Sequence, residues 1–394
     1  MDFEYRWISG DSHLETSPER WTHRIDPKFR DRAPRRLRMA NGSDALVIEG
    51  APPTEFPFDL YGGKGRENWQ PLGQTYDNTP GTGPAAQRVK EMDADGIGAE
   101  ILFPGQVTGP KFWRNIKDPD AYRAVVRGWN DWLAEEYCSV NPDRLIGVGV
   151  IPATNLDDAI ADLERLKKQG FRTVVISAFP SGFPHPSPED DRFWAASLDM
   201  EMPVCIHVDI DRSLLPGPVY RWPKEDKEIL KHTDLVLQVA RFGRAAGINA
   251  VQLVLSGLFD RFPNLVIDLA ENQLGWVPFF MEQGDTRYKR HWKWTAEMLG
   301  WTPLKKGLPS EYMRENFYWG FQDDKVGVEM RHHVNIDRLI WATDFPHQES
   351  EWPNSEGIID NIFDGVPEDE KRKMTIENAV RFFHLEDIFA LQPA

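Results

Sequence analysis

The feature that most constrains the fold of this chain is an alternation of short apolar runs with helical segments, eight times over. Residues 5–15 supply the first run. Residues 85–96 then read as a helix stopped by glycine and 99–104 as a short buried strand. In 118–141, Val125, Val126, Trp129, Trp132 and Leu133 recur at helical spacing before the strand 145–151. Asn155 caps a helix to Gln169, which Gly170 stops before a strand at 173–177. A helix at 193–200 leads into the strand 203–208, and a long helical region at 226–261 precedes the strand 265–270. A helical, aromatic segment runs from Gly275 into the 290s. Strands at 317–321 and 338–343 complete the set before a closing helix from Pro367 to about Phe383.

Eight near-continuous apolar strands separated by helices are the pattern of a parallel (β/α)8 TIM barrel, whose functional residues come from the C-terminal strand ends. A doubly wound open sheet is the competing architecture. It is disfavoured because Ser9-Gly10 after the first run is not a Gly-rich phosphate loop. The expected organisation is one barrel domain over residues 1–394. An irregular insertion at 16–84, after the first strand, is expected to serve as a lid or an oligomer contact.

Composition narrows the function. A formal net charge of −16 disfavours nucleic acid and anionic membrane surfaces as partners. The two cysteines, Cys138 and Cys205, do not suggest a disulfide framework. No apolar run of about 18 residues is present, so the expectation is a soluble cytoplasmic protein acting on a small molecule. The 15 Trp and 30 Pro point to ordered, aromatic loops and to a homo- or hetero-oligomer.

The strand ends carry one kind of chemistry. Strand one ends in Asp11, His13 and Glu15, which alternate onto one face of an extended chain. Strand five ends in His207, with Asp209 beyond it; strand six carries Asp268, then Glu271 and Asn272; strand eight is followed by Asp344 and His347. Singly, each has a plain structural explanation: a histidine in a strand is often core, and an Asp before Phe-Pro can cap a turn. Jointly they fall at the ends of strands one, five, six and eight of one count. Imidazole with several carboxylates on a rigid rim suits a divalent cation such as Zn, Mn or Fe, as one ion or two.

These residues resemble a known family. Asp11-Ser-His13, His207, the run from Ser256 to Asn272 that contains Leu-Phe-Asp-Arg-Phe-Pro-Asn-Leu, Gly275-Trp-Val-Pro and Thr343-Asp-Phe-Pro-His347 are similar to the amidohydrolase-related branch of the amidohydrolase superfamily. The resemblance implies a metal-dependent barrel. In it Asp11 and His13 stand at the first-strand ligand pair, His207 is the fifth-strand ligand and Asp344 the eighth-strand acid. Relatives of that kind include hydrolases, hydratases and non-oxidative decarboxylases of aromatic or unsaturated acids. The chain departs from the pattern in having Asp at the first ligand position, a further carboxylate at Glu15, and Glu271 for the His often found after strand six in decarboxylases.

Three readings follow. In the first, metal-activated water or lyase chemistry acts on a small carboxylic or aromatic substrate, with Asp344, Glu271 and His347 as catalytic groups. The second is a dinuclear iron or iron–manganese oxygenase held by His13, Glu15, His207, Glu271 and Asp344, with His232 as a candidate extra ligand. The third is a structural subunit beside a homologous active partner. Arg20, Arg24, Arg30, Arg32, Arg35 and Arg36 offer forks for a substrate carboxylate, or else pair with surface acids. Trp69, Trp113, Trp292, Trp294 and Trp352 are expected in loops, over the site or at a subunit contact.

Overall fold

The computed structural model describes residues 6–55, 63, 65–68, 73–77, 79–105, 109–208, 210 and 242–389. Within these, the eight expected runs form parallel strands: β1 (Trp7–Leu14), β2 (Ile97–Pro104), β3 (Leu145–Gly147, resuming at Gly149–Val150), β4 (Val174–Val175), β5 (Val204–His207), β6 (Ile267–Ala270), β7 (Phe317–Phe321) and β8 (Leu339–Trp341). All eight residues of β1 and all eight of β2 are buried, as strands covered on both faces must be.

Two parallel arcs make the ring. One runs β1-β2-β3; the other runs from the second half of β3 through β4, β5, β6 and β7 to β8. The arcs join inside β3, where Val148 N–H donates to Leu102 O at 3.0 Å. They join again between β8 and β1, where Asp344 N–H donates to Asp11 O at 3.0 Å and His13 N–H to Phe345 O at 2.7 Å. Thr343 N–H also reaches Ser9 Oγ at 2.9 Å. The (β/α)8 barrel therefore closes through the very residues that carry candidate ligands.

The helices sit where the apolar spacing puts them. Helix Ala85–Asp95 ends at Gly96, whose φ of 73° is the left-handed conformation of a C-cap. Helix Leu156–Lys168 is capped by Asn155, whose side chain accepts from Asp158 N–H. Helix Pro119–Trp132 buries Val125, Val126, Trp129 and Trp132.

Several expectations need correction. Residues 16–84 are not merely irregular: Arg35–Arg38, Asp44–Val47 and Thr54–Glu55 build a small antiparallel sheet, preceded by short 3-10 turns. The 118–141 helix is regular only to Trp132, then passes through a π turn at Leu133–Tyr137 and a 3-10 turn at Cys138–Val140. Of the 226–261 helix, the described part breaks in two, Arg244–Leu255 and Leu258–Arg261, because Gly257 turns at φ 70°. The closing helix likewise contains a π turn, Lys373–Glu377. No helix among the described residues is long and apolar enough to cross a membrane.

Candidate metal centre

Strand alternation aims the candidate groups into one space. Parallel pairing puts Ala270 beside His207 and Asp268 beside Cys205, so those four share the face that looks into the barrel mouth. Beyond the strand ends, Val208, Glu271 and Asp344 adopt φ of 57°, 56° and 56°. Such left-handed turns at non-glycine residues cost about 1–3 kcal/mol each, a cost that clusters where side chains are aimed for function.

Their atoms converge closely. His13 Nε2 lies 3.0 Å from His207 Nε2 and 3.0 Å from Asp344 Oδ1, with Asp11 Oδ1 at 3.4 Å. His207 Nε2 lies 3.3 Å from Asp11 Oδ2 and 3.1 Å from Glu271 Oε2. Asp11, His13, Glu271 and Asp344 are at most 1% exposed. Each of two sets, Asp11-His13-His207-Glu271 and His13-Asp344-His347, offers donor atoms within 4.8 Å of one another.

Two imidazole nitrogens facing each other among buried carboxylates fit a divalent cation in the first set. Buried carboxylates need a counter-charge, and neutral imidazole lone pairs need an acceptor of electron density. The ring orientation supports this. His13 Nδ1 lies 3.2 Å from Pro104 O, an acceptor that fixes Nδ1 as the protonated nitrogen and leaves Nε2 to the site. Burial, and then the neighbouring His13, push the His207 pKa well down and keep its imidazole neutral. Burial pushes Asp344 up, but His347 and His13 outweigh it, so its carboxyl is held below the usual carboxylate range.

Glu15 contacts His347. Its Oε1 meets His347 Nε2 at 3.1 Å, while His347 Nδ1 lies 3.4 Å from Asp344 Oδ1 and the His347 ring stacks on His13 with centroids 4.0 Å apart. The groups thus form a line, Glu15 to His347 to Asp344 to His13. Asp268 sits two residues before Ala270; burial, and then Asp11, raise its carboxyl well above the usual range. Asn272 folds its side-chain amide back onto Ala270 O at 2.7 Å.

His232, Asp209 and Trp69 fall outside the described residues. Trp113 is not a loop residue: it is fully buried, packed on Trp21 and Trp129. Trp292 and Trp294 are exposed on helix Val277–Leu299, and Trp352 packs at a tilt against Phe345. Arg24 pairs with Glu135 and Glu136, Arg32 with Glu49 and Asp118, and Arg36 with Glu19, Asp44 and Asp77. Arg30 donates to the carbonyls of His23 and Ile25.

Sequence reading passed over three supporting residues. Arg88, fully buried, pairs with Glu100 and donates to the carbonyls of His13 and Phe345. A charged residue inside the apolar run Ala99–Pro104 was the available signal. The third is Gly105, where a Cβ would fall 2.1 Å from Glu15 Cδ; only a glycine lets that carboxyl lie against the end of β2.

The chain is similar to known proteins over most of its length. A family model described as amidohydrolase matches residues 13–385. The gamma-resorcylate decarboxylase of Rhizobium sp. (strain MTP-10005) is 25% identical over 319 residues, which cover 76% of this chain and 86% of that protein. Among solved structures, an amidohydrolase from Mycobacterium avium subsp. paratuberculosis K-10 superposes with a TM-score of 0.71 at 19% identity, covering 96% of this chain and 99% of that one. The 5-carboxyvanillate decarboxylase of Novosphingobium aromaticivorans, solved with manganese and 4-hydroxy-3-methoxy-5-nitrobenzoic acid, gives 0.65 at 18% identity and covers 97% of both chains.

Proposed function

The chain belongs to the amidohydrolase family, and from that premise we propose that it is a divalent-metal-dependent lyase that decarboxylates a small aromatic acid. The observation that carries the reading is the 3.0 Å approach of the His13 and His207 Nε2 atoms among Asp11, Glu271 and Asp344. Decarboxylase relatives at 25% identity favour this chemistry over hydrolysis.

Asp11, His13, His207 and Asp344 would hold the ion, with Glu271 beside His207. When bound, a divalent cation would anchor the substrate carboxylate and draw electron density from it. The chain's own groups handle the proton. The overall change is ArCOO⁻ plus H⁺ to ArH plus CO2: the ring carbon gains a proton and the carbon–carboxyl bond breaks. We assign delivery of that proton to Asp344. His347 and His13 contact its carboxyl and orient it; held as a carboxylate, Asp344 must take up a proton before it can pass one to the ring carbon. Glu15 holds His347 from the far side. The decarboxylase relatives, rather than the position of Glu15, favour this reading over a dinuclear oxygenase.

The test is direct. Protein made without chelators should carry more than about half an equivalent of a transition metal by ICP. With manganese it should release CO2 from 2,6-dihydroxybenzoate without oxygen uptake. Stoichiometric oxygen consumption, or metal content below that level, would overturn the proposal.

A further inference from the structure

Gln322 directly follows β7, is 2% exposed, and has neither Oε1 nor Nε2 hydrogen-bonded among the described residues. Its main chain is fixed, because Gln322 N–H donates to Gln273 Oε1 at 3.2 Å. Strand register says where it stands. Tyr318 pairs with Asp268, which pairs with Cys205, and the next inward pair is Ala270 with His207. The two-residue period carries that face from Tyr318 to Gly320, and Gln322 is next in that register just past the strand end; Gly320 O accepts from Asn272 and Gln273 N–H, which sets this end of β7 beside the turn that carries Glu271.

A buried carboxamide without partners is costly, because each polar group has given up water and gained no bond in return. Methionine would fill the same length with no such loss. A glutamine is justified here by a ligand that offers both an acceptor for Nε2–H and a donor for Oε1. A plain aromatic carboxylate has acceptors only, whereas a ring hydroxyl beside the carboxylate adds the donor. We infer that Gln322 is a substrate-binding residue that selects hydroxylated aromatic acids over unsubstituted ones, its Nε2–H donating to a carboxylate oxygen and its Oε1 accepting from a ring hydroxyl. The inference rests on the decarboxylase reading and names its substrate class.

The experiment measures binding of 2,6-dihydroxybenzoate and of benzoate to the manganese-loaded protein by tryptophan fluorescence. Wild type should bind the hydroxylated acid more tightly. Gln322→Met should weaken that acid by about tenfold and leave benzoate within about twofold, with unchanged metal content and circular dichroism. Gln322→Glu should weaken both acids, because it sets a carboxylate against a carboxylate. If Gln322→Met loses metal, Gln322→Asn decides, since it keeps the amide but withdraws it by one methylene; it too should lose the preference. Discrimination that survives in the folded variant overturns the inference alone. A wild type that binds neither acid overturns the decarboxylase reading and the inference with it.

Discussion

Arg88 and Glu100 form an ion pair of 2.6 Å with side chains 1% and 2% exposed, and the same guanidinium donates to the carbonyls of His13 and Phe345 at 3.0 Å each. One side chain therefore ties helix Ala85–Asp95 and β2 to both edges of the ring closure. Replacing Arg88 with Met would strand Glu100 as a buried charge and strip two carbonyls of their donor. The expected loss is about 3–5 kcal/mol in urea unfolding. The double variant with Glu100→Gln should recover part of it, because the orphaned charge is gone. A midpoint unchanged in Arg88→Met would contradict this account.

Metal-free protein should weaken in acid through His207. Burial, then His13, depress its folded pKa, whereas the unfolded imidazole titrates near about 6.5. The unfolded chain thus takes up a proton that the folded chain refuses. This contribution is present above about pH 6.5 and is lost as pH falls below it. Urea melts of chelator-stripped protein should show a positive slope of stability with pH in that window, and His207→Gln should flatten it.

Asp95 titrates with the opposite sign. Burial raises its carboxyl to about 6, against hydrogen bonds from Ser355 N–H and Oγ–H. Between the unfolded value of about 3.9 and that folded value, the folded chain keeps a proton that the unfolded chain has lost, so this term lowers stability as pH rises. Asp95→Asn should remove the slope across about pH 4 to 6, seen as a difference between variant and wild-type melts.

Gly105 and Glu15 should behave as one unit. Gly105→Ala puts a methyl group into the Glu15 carboxyl and should cost about 1–3 kcal/mol by overpacking, while turning Glu15 away from His347. In Glu15→Ala the obstacle is absent, so adding Gly105→Ala should cost little. A double-mutant cycle in thermal unfolding measures the coupling, and strict additivity would argue against the contact.

The candidate site was legible in part, for a local reason. Asp11 and His13 end an apolar run and alternate onto one face, and His207 ends another; spacing within a few residues carries that information. Glu15 looked equivalent to them because it continues the same alternation. Its partner His347 is 332 residues away in sequence, beyond the reach of any local pattern. The break at Gly257 and the π turns also escaped periodicity, since an apolar stripe continues across them.

What the chain's order of residues determined by itself is the eight strands of the ring, the parallel barrel that such a set forms, and the acid and imidazole types at the strand ends. Apolar periodicity and capping residues act over one or two turns and are written locally. What only the tertiary structure decided is which groups meet: His13 with His207, Glu15 with His347, and Arg88 with Glu100. Those pairings depend on how the ring closes between β8 and β1 and on the register of each strand with its neighbours. They are set by long-range packing and hydrogen bonding among segments hundreds of residues apart.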